Sequence, residues 1–165
     1  NIFDNLNNFA KKNFIDMDFV FLLSLMIIDG TDNVDYFIYK FNISKKDQKR
    51  LLFLNSFYLQ KITTKTFSLK NLNKILYLNG REALMDVIYF KIFKSKKIDL
   101  NLVAMIKIFK DKEIPIMPFK ANTLMSKYNI PEGKELGNKI KRIEEFWVEN
   151  NFQIYEKEIE KIINN

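Results

Sequence analysis

Two of the chain's four glycines, Gly133 and Gly137, bracket a predicted helix start near the C-terminus. Lys134, Lys139, Lys141 and Arg142 fall in the same ten residues. Each residue type has a use in holding an anion. Glycine lets a ligand reach the backbone with no Cβ in the way. The first turn of a helix has free N–H groups and a partial positive charge, which suits phosphate. Lys141 and Arg142 lie off the helix's apolar stripe and Lys139 at its edge, so all three are expected to reach solvent. The competing reading is a tight turn, close helix packing and a solvated basic face. Short glycine motifs recur by chance, so pattern alone leaves both open.

Other clusters offer less. "FNISKKDQKR" gathers Lys45, Lys46, Lys49 and Arg50 at one helix start, where cations oppose the macrodipole; a ligand would explain them, but a merely exposed helix is the favoured reading. Asp16 and Asp18 have the spacing of a metal-binding carboxylate pair. No triphosphate-binding Gly motif precedes them, so helix capping is the expected role. "DGTDNVD" lacks the EF-hand register. Histidine and cysteine are both absent, which excludes disulfides, the usual zinc sites and histidine acid–base chemistry. No active site is found in the chain, and it is expected to bind no cofactor itself. Tyr77, Tyr89, Phe119, Tyr128 and Trp147 could stack bases; Trp147 reads as core, and Phe119 and Tyr128 as the better exposed candidates.

These residues need a scaffold, and composition points to an all-α one. Gly and Pro number only four and three, too few for many tight turns. Sixteen Phe supply a large core. The net charge of +7 and pI near 9.4 name nucleic acid, anionic membrane or acidic protein as partners. An AT-rich genome would also enrich Lys, Asn, Ile and Phe. The longest apolar run, "FVFLLSLMII", is too short to span a bilayer, and no signal peptide is visible; a cytoplasmic protein with no membrane partner is expected.

The periodicity predicts a first helix with Ile2, Phe3, Leu6, Phe9 and Ala10 inward, then a buried helix ended by Gly30. A short helix follows with Val34, Phe37, Ile38 and Phe41 inward. Ser44 opens the next, with Leu51, Leu52, Leu54, Phe57 and Tyr58 as core. Ser68 caps another, with Leu69, Leu72, Ile75 and Leu76 on one face, stopping at Asn79-Gly80 before "REALMDVIYFKIF" resumes. Asp99 caps the last body helix. Pro115 and Pro118 then force an extended connector, followed by a short turn at 122–128, a helix with Leu136, Ile140, Ile143 and Trp147 inward, and a closing helix. The expected layout is an irregular multi-helix body (1–112) and a small helical tail domain (113–165) with a helix-hairpin-helix-like Gly turn.

The tail "MPFKANTLMSKYNIPEGKELGNKIKRIEEFWVENNFQI" resembles the C-terminal tail of class II tRNA nucleotidyltransferases, the CCA-adding enzymes, and of their bacterial poly(A) polymerase relatives. Pro118, Ile130, Gly133, Lys134, Glu135, Leu136, Gly137, Trp147 and Phe152 match that tail's order and spacing. "FNISKKDQKRLLFL" and "LYLNGREALMDVIYF" resemble two body segments of the family. The family's Gly-x-Asp turn appears here as Ala121-Asn122-Thr123, and Asn129 stands where Gly is usual. The family's catalytic head and nucleotide-selecting neck motif are missing from these residues. The resemblance therefore implies a tRNA-binding body and tail, inactive alone, that anchors tRNA through its phosphates. The nucleotide-adding head, with its Mg and CTP or ATP, is expected outside this chain, on a lost part or a separate polypeptide. Gly133, Lys134, Gly137, Lys139, Lys141 and Arg142, with Lys120, Lys127, Lys45 and Lys46, are the expected phosphate contacts. The alternative is a non-catalytic helical remnant or protein-interaction module of a split gene.

Overall fold

The computed structural model describes residues 6–164. Ile2 and Phe3 of the predicted first helix lie outside the described residues. Nine α-helices and no strand occur among the described residues. They fall into two compact units, 1–112 and 113–165.

The first unit holds α1 (Asn8–Asn13), α2 (Phe19–Ile27), α3 (Asn33–Lys40), α4 (Lys45–Leu59), α5 (Leu69–Lys94) and α6 (Leu100–Lys110). Local chemistry sets most of the starts. The side chains of Asp18, Ser44, Ser68 and Asp99 each accept a backbone N–H of the helix they open, which satisfies donors that a helix start leaves unpaired. The Ser44 hydroxyl also donates to the Asp47 carboxylate at 2.7 Å. Asp18 thus takes the capping role expected of it.

α5 is the spine, and Gly80 bends it. There the backbone takes φ 83° and ψ 172°, a region essentially reserved for glycine. Beyond the local backbone nothing lies within 4 Å of where a Gly80 Cβ would stand, so a side chain would meet backbone strain rather than a clash with another element. Gly80→Ala should cost about 1–3 kcal/mol. Urea unfolding checks this, and unchanged stability would contradict the assigned backbone.

One core gathers α2, α3, α4 and the second arm of α5, with Phe21, Leu25, Val34, Leu51, Leu54 and Val87 buried. Another forms where α6 folds back on α5, around Leu72, Leu76, Leu84, Ile88, Ile92 and Phe109. Three predicted core residues are instead exposed: Phe41, Leu52 and Leu69. Phe41 sits just past the end of α3 and rests on the Phe37 ring at 4.5 Å. Leu69 occupies the first position of α5. Leu52 follows the buried Leu51, one 100° step round the helix.

Long-range polar groups lock the elements together. Arg50 of α4 reaches Asp86 of α5 through Nε and NH2, and grips both oxygens of Asp18 at 2.7 and 2.9 Å. The Arg50 and Asp86 side chains are only 10% and 7% exposed. Burial pushes the Asp86 carboxyl up, against the pull of Arg50. At Asp18, burial is outweighed by hydrogen bonds from Arg50 and the Phe21 N–H, and the carboxyl is held below its usual range. A carboxylate lowered in the fold adds stability at neutral pH and loses it as pH falls through the folded value, below about 3.9. Asp18→Asn keeps a cap oxygen but removes the charge. It should be less stable than wild type at pH 7, with the gap closing in acid, as chemical denaturation across pH would record.

Arg81 plays a second locking role. Its guanidinium donates to the carbonyls of Phe109, Lys110 and Lys112, closing the C-terminus of α6. Lys94 donates to the Leu25 carbonyl at 2.8 Å, near the end of α2. Asn7 accepts from Ala10 N–H and donates to the Ile92 and Ser95 carbonyls, tying α1 to the end of α5.

The second unit begins with an extended segment through Pro115 and Pro118, followed by α7 (Ala121–Tyr128), α8 (Lys134–Glu149) and α9 (Glu156–Asn164). The predicted turn at 122–128 is in fact a two-turn helix, α7. Leu124 goes into the tail core beside Ile130, Leu136, Ile143, Ile159 and Ile163, and that burial selects the helix. Asn129 ends α7 at φ 51°, a left-handed position that Asn tolerates. Trp147 is 4% exposed and meets the Phe152 ring edge-on at 4.9 Å, in keeping with a core role.

Candidate nucleic-acid interface

Gly133 precedes α8 with φ 149° and ψ −166°, again a glycine conformation. Gly137 is different. It lies inside the helix, where its N–H bonds the Gly133 carbonyl at 3.1 Å. It is exposed, and beyond the helix's own backbone nothing stands within 4 Å of its missing Cβ. A glycine inside a helix costs about 1 kcal/mol against alanine, and nothing in the fold requires it here. Lys134, Gly137, Lys141 and Arg142 all face solvent, opposite buried Leu136, Ile143 and Trp147. Lys141 stands 3.9 Å from Glu145, an exposed pair of little strength.

Lys139 does not join them. Its side chain is 15% exposed, and its ammonium donates to the Ile163 carbonyl near the end of α9. That cation closes a helix terminus. Lys127 pairs with Glu156 and lies 5.7 Å from the Tyr128 ring centre. Lys120 is exposed just before α7. Phe119 and Tyr128, the expected exposed aromatics, are half-buried against the tail core. In the first unit Lys45 and Lys46 are exposed at the start of α4, and Lys46 pairs with Glu82 at 3.2 Å. Arg50, from the same cluster, is buried in its carboxylate cage.

The charge is divided unequally. Residues 113–165 carry eight Lys and Arg against nine Asp and Glu; residues 40–112 carry seventeen against five. From Gln48 to Arg81 there is no acidic residue at all. Residues 13–39 show the reverse, with five Asp and no Lys or Arg. The broad positive surface therefore belongs to α4–α6 and their links, where Lys45, Lys49, Lys61, Lys65 and Lys70 are exposed. Counting charge by segment finds this surface; counting it over the chain hides it. The tail contributes a local arrangement of backbone and cations without a net positive field.

Among the described residues no group of three or more acidic side chains could hold a metal ion, and no helix is long and apolar enough to cross a membrane. No family model, curated protein or solved structure matches this chain.

Proposed function

We propose that this chain is the tRNA-anchoring body and tail of a CCA-adding tRNA nucleotidyltransferase or related poly(A) polymerase. Nucleotide addition, with its metal ions and CTP or ATP, belongs in this reading to a catalytic head on the same or another polypeptide. The observation that carries it is Gly137: an exposed helical glycine the fold does not need, beside Lys134, Lys141 and Arg142. A phosphate approaching the backbone gives that glycine a use. The lysine-rich body supplies the longer-range attraction, and contact with shape and phosphate suits a partner class whose members differ in sequence.

Affinity for tRNA should fall steeply with salt. Replacing Lys134, Lys141 and Arg142 together by Ala should flatten the log–log salt slope by roughly two units. Gly137→Ala should stabilise the tail yet weaken tRNA binding, a pairing of signs that a purely structural glycine would not give. Affinity indifferent to salt and to these changes would remove the reading.

The alternative, a protein-interaction module of a split gene, draws on one feature. α2 and α3 expose Phe19, Tyr36 and Tyr39 within the acidic segment 13–39, and exposed aromatics are typical interface anchors. Phe19→Asp with Tyr36→Asp should leave tRNA affinity intact if the RNA reading holds.

A further inference from the structure

A cleft of about 560 Å³ opens between the loop before α5, the second arm of α5 and the start of α6. Its walls include Phe67, Leu102 and Met105, and its polar groups include Lys91, Asp99 and Asn101. We infer that this cleft seats one nucleotide, its base against Phe67 and Met105 and its phosphate on Lys91.

Size and chemistry agree with this. The volume lies in the range of sites that enclose small organic ligands, and apolar walls with a few polar groups are their usual lining. Phe67 offers an aromatic face or edge, Met105 a polarisable one, and flat heterocycles stack or pack on both. The walls are fixed in advance. The Thr63 N–H donates to the Thr66 hydroxyl at 2.9 Å, and Asn71 donates to the Thr66 carbonyl at 2.7 Å, which pins the turn that carries Phe67. Leu102 is buried behind the cleft.

The polar groups divide the work. The Lys91 ammonium has no hydrogen-bond or ion-pair partner among the described residues, although the residue is half-buried. Asp99 is already engaged: one carboxylate oxygen accepts the Asn101 N–H at 2.9 Å and the Leu102 N–H at 3.4 Å. Its charge is therefore spent largely on the start of α6. That leaves Lys91 for an anion, and Asp99 and Asn101 as acceptors for an exocyclic amino group. Lys61 and Lys65, exposed and close in sequence to this wall, extend the positive approach. The nucleotide could be free or an unstacked residue of a bound RNA. The chemistry of the seat is the same, and only the second source rests on the tRNA reading.

The test uses the whole chain with labelled methyl groups on Met and Leu. On adding 5′-AMP to about 10 mM, the Met105 and Leu102 methyl signals should shift; adenosine should bind more weakly. Lys91→Ala should weaken AMP binding roughly tenfold, the size of a lost charge-assisted hydrogen bond. Met105→Trp, which fills the cleft, should abolish it, with circular dichroism reporting retained helix. Still methyl signals, or equal binding of AMP and adenosine, overturn the site whatever the variants do. An RNA source is tested separately with oligo(A) and tRNA. Loss of their affinity in Lys91→Ala and Met105→Trp assigns the seat to RNA. AMP binding without any tRNA binding keeps the seat as a free-nucleotide site and sinks the function proposed above. Salt-sensitive tRNA binding with unmoved Met105 does the opposite.

Discussion

Arg50→Ala is expected to destabilise the first unit by about 3–5 kcal/mol. The substitution strips the partner from Asp86, whose side chain is 7% exposed on α5. Removing one member of a buried ion pair leaves a charge with neither water nor counter-ion, and that is far costlier than losing a surface pair. The guanidinium also holds Asp18, which caps α2, and stands 3.7 Å from Glu82. One side chain thus joins α4, α5 and the start of α2. Arg50→Lys should recover little, because a point charge cannot span two carboxylates in a fixed fork. Pairing Arg50→Met with Asp86→Leu should restore much of the loss, since neither charge then lies buried. Urea unfolding of the single and double variants closes the cycle. A loss under 1 kcal/mol for Arg50→Ala, or additive singles, would mean the cage contributes nothing specific.

Trp147→Ala should cost the tail about 3–5 kcal/mol, the range for emptying a buried aromatic site. The tail is small, with a core of mostly aliphatic side chains from three helices, so the loss is a large share of its stability. The indole has a further duty. Asn151 and Phe152 both have positive φ, 56° and 65°, and a bulky residue there is strained. The Phe152 N–H bonds the Trp147 carbonyl at 2.8 Å while its ring meets the indole. Without the indole the strain has less to offset it, and the link into α9 should loosen. Amide exchange should show lost protection in α8 and α9, with Trp147→Phe intermediate. Full protection in Trp147→Ala would overturn the packing role.

The parts of this fold legible in the sequence are those decided within a few residues. Ser44, Ser68, Asp99 and Asp18 cap helices because their oxygens reach an N–H two or three positions on. Gly80 and Asn129 mark bends because their own backbone allows positive φ. The parts that were not legible depend on distant partners. Arg50 sits in a lysine cluster and reads as surface until Asp86, thirty-six positions away, folds against it. Lys139 reads as a free cation until the end of α9 arrives. Phe41, Leu52 and Leu69 fit an apolar pattern that the packing left uncovered. At the candidate interface, Gly137 was visible as a residue type. Its open surroundings, which show that no packing contact requires a glycine there, are a property of the fold alone.

The division of labour between cations has a chemical consequence. Arg50 and Arg81 are consumed inside the first unit, so the outward positive charge of that unit is carried by lysines. A lysine loses its charge on acetylation, and a guanidinium does not undergo that reaction. Mild acylation would therefore remove most of that outward charge while leaving the arginine locks in place. In the first unit the outward charge and the arginine locks are thus chemically separable with a single reagent.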